Sequence, residues 1–333
     1  MAPVGVWDVF LFNDELDLLE IRLEALRDVA DHVVVIEAPL TFTGQPKPLH
    51  FAEHRGRFAH DGRVRHVAVD LDPTPRNPWA REHEQRRHAR DFIERAVPAG
   101  DLVLFGDVDE IPEPAVVARL RDELSEPVRL SMTHANYYAN LVQKPTWTMG
   151  TLAFRPGMEQ HPEVDYYLGN DTREWQSERA RRVDGAGWHL SFLGGPDAIR
   201  AKVAAYSHQE YNGDADRRPG EVERWLRYGV HMSGEHVLRR VPRSELPPFL
   251  QSLSTTHPEF FDFRRGPGRL RAHAYAGYLF LRRHPLRPRW LRRFADVPPG
   301  LATTVLMPVF LGVDTARRGV RKLRARRTQT RSS

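Results

Sequence analysis

The sequence contains no cysteine in its 333 residues. Disulfides, thiolate metal sites and thiol nucleophiles are therefore excluded, and a reducing compartment is the natural setting. No stretch reaches the roughly 18 apolar residues that a membrane-spanning helix needs. The opening residues Pro3 to Phe12 carry no basic leader, and Asp8 interrupts their apolar run, so no signal peptide is expected. A Walker phosphate loop and a G-x-G-x-x-G fingerprint are both missing. Any bound nucleotide would have to be held by a metal and by scattered side chains. No internal repeat is detectable.

With 41% hydrophobic residues the chain can bury a substantial core, as one large domain or two modest ones. The formal charge of +5 conceals an asymmetry. Residues 264–333 hold 18 Lys and Arg against two acids, Asp296 and Asp314, a net +16 that leaves −11 on the rest. An acidic body and a basic tail are expected to do different work. Apolar spacing predicts a strand over 6–12, then a helix with Leu16, Leu19, Leu23 and Leu26 on one face. Strands over 33–38, 63–70 and 102–106 and helices over 79–96 and 114–124 follow. This alternation argues for an α/β fold, a mostly parallel sheet covered by helices. Beyond residue 128 the pattern turns aromatic and strand-like, and Pro196 and Asp197 open a helix running to about Ser207. The body is expected to end near Phe261, before an Arg-rich extension.

The stretch DLVLFGDVDEIP, residues 101–112, carries the strongest chemical signal. An apolar strand ends in Gly106 and three carboxylates, Asp107, Asp109 and Glu110, before Pro112. Hard divalent cations prefer carboxylate oxygen, and Mg²⁺ is commonly held by one or two protein carboxylates while a substrate phosphate supplies more ligands. Spacing alone is weak, because Asp70/Asp72 and Asp214/Asp216 repeat the Asp-x-Asp pair in polar loops. The bland alternative is a solvated acidic turn capping the next helix. Ligands of open α/β sheets lie beyond the carboxyl ends of the strands, where Asn13, Glu15, Glu37, Asp107 and Asp109 all fall.

Four blocks taken in order, FNDELDLLEIRLEALRDVADHVVVIEA, TFTGQPKPL, FGDVDEIP and GWHLSFLGGPDAIRAKVAAYSHQEYN, resemble glycosyltransferase family 17 over about residues 6–250. The resemblance implies a GT-A-type nucleotide-sugar-binding fold over residues 1–262, followed by a basic extension over 263–333. It implies an inverting enzyme with UDP-N-acetylglucosamine as donor, Mn²⁺ or Mg²⁺ as metal, and a glycan or glycolipid hydroxyl as acceptor.

On that footing Asp109 is the expected metal ligand and Asp107 a ligand or ribose contact, with Glu110 orienting either. His189 would complete the metal shell or reach the diphosphate, its alternative being a hydrogen-bonded core histidine. The base must be a carboxylate facing the acceptor oxygen. Asp197 is the first candidate, because a vertebrate family member has Glu at the matching place, and Glu210 is the second. Asn13 and Glu37 would meet uracil or ribose, and Lys47, Arg81 and Arg86 the phosphates. Trp188 would stack on a sugar face unless it is a core aromatic. Lys202 is expected to pair with a nearby acid.

The basic tail, with the apolar run LATTVLMPVFLG at 301–312, suits an anionic membrane surface, and the chain is expected to be cytoplasmic and peripheral at the inner face of that membrane. Nucleic acid is disfavoured as partner, since no aromatic stacking platform is interleaved with the final cluster. Two other functions fit the residues less well. One is a metal-dependent phosphohydrolase using Asp107 and Asp109, whose motif would normally follow the first strand. The other is a non-catalytic sugar or lipid-surface binding protein.

Overall fold

The computed structural model describes residues 3–144, 146–169, 181–213, 219–266 and 268–283, with five further positions between 308 and 315. The chain opens with β1 (Val6–Phe12), α1 (Leu16–Ala25), β2 (His32–Glu37), α2 (His50–His54), β3 (Val64–Ala68), α3 (Pro78–Ala96) and β4 (Leu102–Asp107). Next come β5 (Glu110–Pro112), α4 (Pro114–Glu123), β6 (Val128–Leu130), β7 (Thr133–Asn136), β8 (Leu141–Val142) and β9 (Leu152–Phe154). The remainder is α5 (Pro162–Tyr167), β10 (Arg181–Val183), β11 (Gly187–Ser191), α6 (Gly195–Ala205), α7 (Glu221–Tyr228), β12 (Arg239–Arg240), α8 (Pro248–Thr256) and α9 (Arg269–Arg283).

Seven strands form one sheet in the order β10-β6-β9-β4-β1-β2-β3. Strand β1 lies parallel to β2 and β4, β2 parallel to β3, and only β9 runs antiparallel to its neighbours β4 and β6. This is the α/β architecture expected from the sequence, a mostly parallel sheet covered by helices. Every residue of β1 is buried because helices cover both faces. Its period-two alternation sends Val6, Phe10 and Phe12 into a core shared with Leu19 and Leu23 of α1. Trp7, Val9 and Leu11 enter another core with Ala89 and Ile93 of α3.

A second, five-stranded sheet has the order β12-β8-β7-β11-β5. Only β7 and β11 are parallel there. The strand-like region beyond residue 128 is thus divided between two sheets. Between Asp107 and Glu110 the chain leaves the first sheet and joins the second.

The packed body continues past residue 262. Ala272, Tyr275, Tyr278 and Leu279 of α9 are buried with Val222 and Trp225 of α7 in a third core. Asp214 and Asp216, most of the 301–312 run and the terminal basic cluster lie outside the described residues. No helix among the described residues is long and apolar enough to cross a membrane.

Candidate active site

The acidic motif sits at the junction of the two sheets. Asp107 is the last residue of β4, and Glu110 opens β5 in register with His189 of β11. Gly106 makes the turn possible, because an added Cβ would stand 2.6 Å from Glu110 Oε2 and 2.7 Å from Thr151 Oγ1. A buried guanidinium fixes the turn from below. Arg22 of α1 donates to both carboxylate oxygens of Asp8, at 2.8 and 2.6 Å, and to the carbonyls of Asp107 at 3.0 Å and Val108 at 3.3 Å. It also donates to the carbonyl of Glu110.

Asp109 is the centre of the site and is 3% exposed. Its Oδ2 accepts from Lys202 Nζ of α6 at 2.6 Å, and its Oδ1 lies 3.4 Å from His189 Nε2. Lys202 Nζ is also 3.4 Å from Glu15 Oε1. Burial alone would push the Asp109 carboxyl up, but Lys202 and His189 overcome it and hold that carboxyl well below the usual range. Burial likewise opposes charge on Lys202, yet Asp109 and Glu15 raise its pKa. For His189, burial is outweighed by Asp109, which raises the imidazole above its ordinary value. Glu15 is raised by burial against the pull of Lys202. The His189 ring stacks on His134, with centroids 4.6 Å apart and planes at 6°, and Trp147 lies 4.8 Å from it.

Glu110 behaves differently from Asp109. Its Oε1 accepts from the Trp147 indole at 2.7 Å, and the nearby His189 opposes its upward shift only in part. Burial, then the neighbouring Asp107 charge, push its carboxyl up to about 7. Ionised Glu110 therefore destabilises the fold, and the penalty grows as pH rises from 4.5 towards about 7. In metal-free buffer, Glu110→Gln is expected to stabilise the protein by about 3 kcal/mol at pH 8 and to change little at pH 5. Melting temperatures at the two pH values check this, and equal shifts at both would contradict it.

Asp107 is the open carboxylate of the turn, with its side chain 42% exposed and Oδ1 3.3 Å from Arg86 Nη2. Arg86 of α3 also pairs with Glu82 at 3.0 Å and lies over the Tyr167 ring. Asn13, Glu37 and Lys47 come together at the ends of β1 and β2. Glu37 is fully buried, accepting from the Phe51 amide at 3.1 Å with His66 Nε2 at 2.9 Å and Lys47 Nζ at 3.5 Å. Lys47 donates to the Asn13 carbonyl at 2.9 Å. Burial lowers the Lys47 pKa in spite of Glu37.

Three expected site residues are placed elsewhere. Arg81 is buried and donates to the carbonyls of Phe42, Asp72, Pro73 and Pro75, so four of its five N–H groups clamp two loops. Trp188 is half-buried and packs against the first core, on the face of β11 opposite His189. Asp197 is fully exposed and paired with Arg200 at 2.7 Å. It stands five residues before Lys202, about 140° around α6, so the helix that delivers Lys202 to Asp109 turns Asp197 away. Glu210 is also exposed and lies 2.7 Å from His208 Nδ1. Three residues earlier in the chain, the Ser207 hydroxyl donates to Glu82, which pairs with Arg86.

Arg22 and Trp147 were not among the sequence candidates. The signal for Arg22 was available: an aspartate inside an apolar strand needs a buried cation, and Arg22 lies on the apolar side of α1. Lys202 does pair with a nearby acid, as expected.

Asp107 and Asp109 are the right donor chemistry for Mg²⁺ or Mn²⁺. Among the described residues no three His, Asp or Glu side chains are grouped so as to hold a metal. Any such cation would need further ligands from a bound substrate. An all-protein cage does not fit.

A carboxylate pair lies at the strand ends of a mostly parallel sheet, with Lys202 and Arg86 beside it. The family model of glycosyltransferase family 17 matches residues 1–218, and the chain belongs to that family. That span contains the whole acidic cluster and Lys202, and it sets aside the phosphohydrolase alternative. Among curated relatives, the β-1,4-mannosyl-glycoprotein 4-β-N-acetylglucosaminyltransferases of Mus musculus and Homo sapiens are each 27% identical over 246 residues. The match covers 65% of this chain and 44% and 45% of those proteins, so the chain spans less than half their length. Among solved structures, the galactosyltransferase LgtC in complex with donor and acceptor sugar analogs overlaps 48% of this chain and 61% of its own, at 12% identity and a TM-score of 0.28. A likeness at that level adds nothing to the assignment.

Proposed function

We propose that the protein transfers N-acetylglucosamine from UDP-N-acetylglucosamine, with inversion, to a hydroxyl of a glycan or glycolipid, forming a β linkage. The observation that carries this reading is the Asp107/Asp109 pair at the end of β4, inside the span matched by the family. The named activity of the curated relatives supports the choice of sugar. A Mn²⁺ or Mg²⁺ ion held by the two aspartates would act as a Lewis acid towards the donor diphosphate.

The chain's own residues set up the rest. Lys202 leaves Asp109 when the donor arrives and neutralises phosphate charge, while His189 keeps Asp109 oriented. Glu37 and Lys47 line the ends of β1 and β2, where the nucleoside would lie. Asp197 and Glu210 remain the candidate proton acceptors, both exposed carboxylates able to meet an acceptor hydroxyl. The setting we propose is the cytoplasm.

Purified protein given UDP-N-acetylglucosamine and Mn²⁺ is expected to release UDP slowly, and faster with a suitable acceptor. Glu210→Gln should lower kcat while leaving the donor KM near that of the wild type. Absence of metal-dependent turnover across UDP, GDP and dTDP sugars would overturn the reading.

A further inference from the structure

At the β12 edge of the second sheet lies a groove of about 750 Å³, formed by β8, β12 and the segment leading into α9. No acidic side chain lines it, whereas six Lys and Arg residues do. Three of these cations are already balanced. Arg240 and Arg264 share Asp262, at 3.0 and 2.8 Å, and Arg239 meets Glu245 at 2.8 Å. Lys144, Arg265 and Arg269 have no carboxylate partner among the described residues. Holding unpaired like charges around one groove is unfavourable unless an anion joins them.

The apolar groups beside these cations narrow the choice of anion. Phe263 is 49% exposed and Leu270 66%, two of the four large hydrophobic side chains most open to solvent among the described residues. They bracket Arg264, Arg265 and Arg269 in sequence, so apolar and cationic side chains share one surface segment. A soluble polyanion would use the charges and leave Phe263 and Leu270 in water. A bilayer surface uses both, with cations on phosphates and apolar side chains in the interface. The net +16 of residues 264–333 has the sign this requires.

We propose that this groove and the Phe263–Leu270 segment dock onto anionic phospholipid headgroups at a bilayer surface, with Lys144, Arg265 and Arg269 on the phosphates. The whole segment, and every groove-lining residue except Asn140, Val142 and Lys144, lies beyond residue 218, where the family match ends, and the proposal does not depend on the donor chemistry. The docked face lies at the β12 edge of the second sheet, with His189 and Glu110 on β11 and β5 at its other edge.

Sedimentation of the full-length protein with vesicles tests it. Binding is expected to mixed phosphatidylglycerol and phosphatidylcholine vesicles, with little to pure phosphatidylcholine and loss in high salt. The triple change Lys144→Gln, Arg265→Gln, Arg269→Gln should weaken binding roughly 100-fold. The double change Phe263→Ala, Leu270→Ala should weaken it roughly tenfold. All five positions are exposed, so unchanged melting temperatures are expected. Wild-type affinity in the triple variant, or no binding of the wild type to anionic vesicles, would overturn the proposal. So would full binding by the double variant together with displacement of vesicles by an oligonucleotide, which would mark a simple polyanion site.

Discussion

Asp109→Asn is expected to lower sugar transfer roughly 1000-fold, the scale seen when one preorganised electrostatic group is lost from an active site. The substitution keeps the shape of the side chain and removes only its charge. Asp109 alone touches both Lys202 and His189, so its neutralisation leaves a buried lysine facing Glu15 and an imidazole with no anion beside Nε2. It also removes one of the two carboxylates available to a divalent cation. The informative control is Asp197→Asn. That side chain is fully exposed and bonded only within its own helix turn and to no residue of the motif, so a change of less than about threefold is expected there when no acceptor is present. UDP release from UDP-N-acetylglucosamine measures both. Equal losses in the two variants would relocate the centre of the site to the start of α6.

The second large effect concerns stability. Arg22→Met should destabilise the protein by roughly 3–5 kcal/mol, because breaking a buried pair leaves an uncompensated charge behind. Arg22 is 0% and Asp8 1% exposed, and the guanidinium also serves carbonyls of Asp107, Val108 and Glu110. Adding Asp8→Leu to Arg22→Met should recover a large part of the loss, since an apolar pair of similar volume needs no partner. Urea unfolding of the wild type, both single variants and the double variant checks this as a cycle. A single-variant loss below about 1 kcal/mol would show that the pair is no better than a surface contact. The double variant should remain impaired in transfer, because the carbonyls of the acidic turn would still lack their clamp.

The first half of the fold was legible because each strand is an apolar run and each long helix carries a spaced apolar face. Strand β1 was placed at its observed limits, and β4 was one residue short. The second sheet was not legible as such. Its strands are two to five residues long, and pairing β5 with β11 depends on a chain path that no local pattern encodes. Charge counts conceal that α9 carries Ala272, Tyr275, Tyr278 and Leu279 on a buried face.

The acidic motif could be singled out from its glycine, its strand and its third acid. Asp197 could not be judged by the same means: a carboxylate after Pro196 looks equally suited to catalysis and to a helix start, and only the rotation of α6 separates them. Arg81 and Arg86 lie five apart on one helix and looked equivalent. The loop carbonyls around 72–75 claimed the first, and Asp107 and Glu82 the second.

Calorimetric titration of UDP-N-acetylglucosamine into the wild type and Asp109→Asn, with and without Mn²⁺, bears most directly on the role of the acidic motif. Binding that requires Mn²⁺ in the wild type and vanishes in Asp109→Asn is the expected result. Metal-independent binding of equal strength in both proteins, or no binding by the wild type, would contradict it.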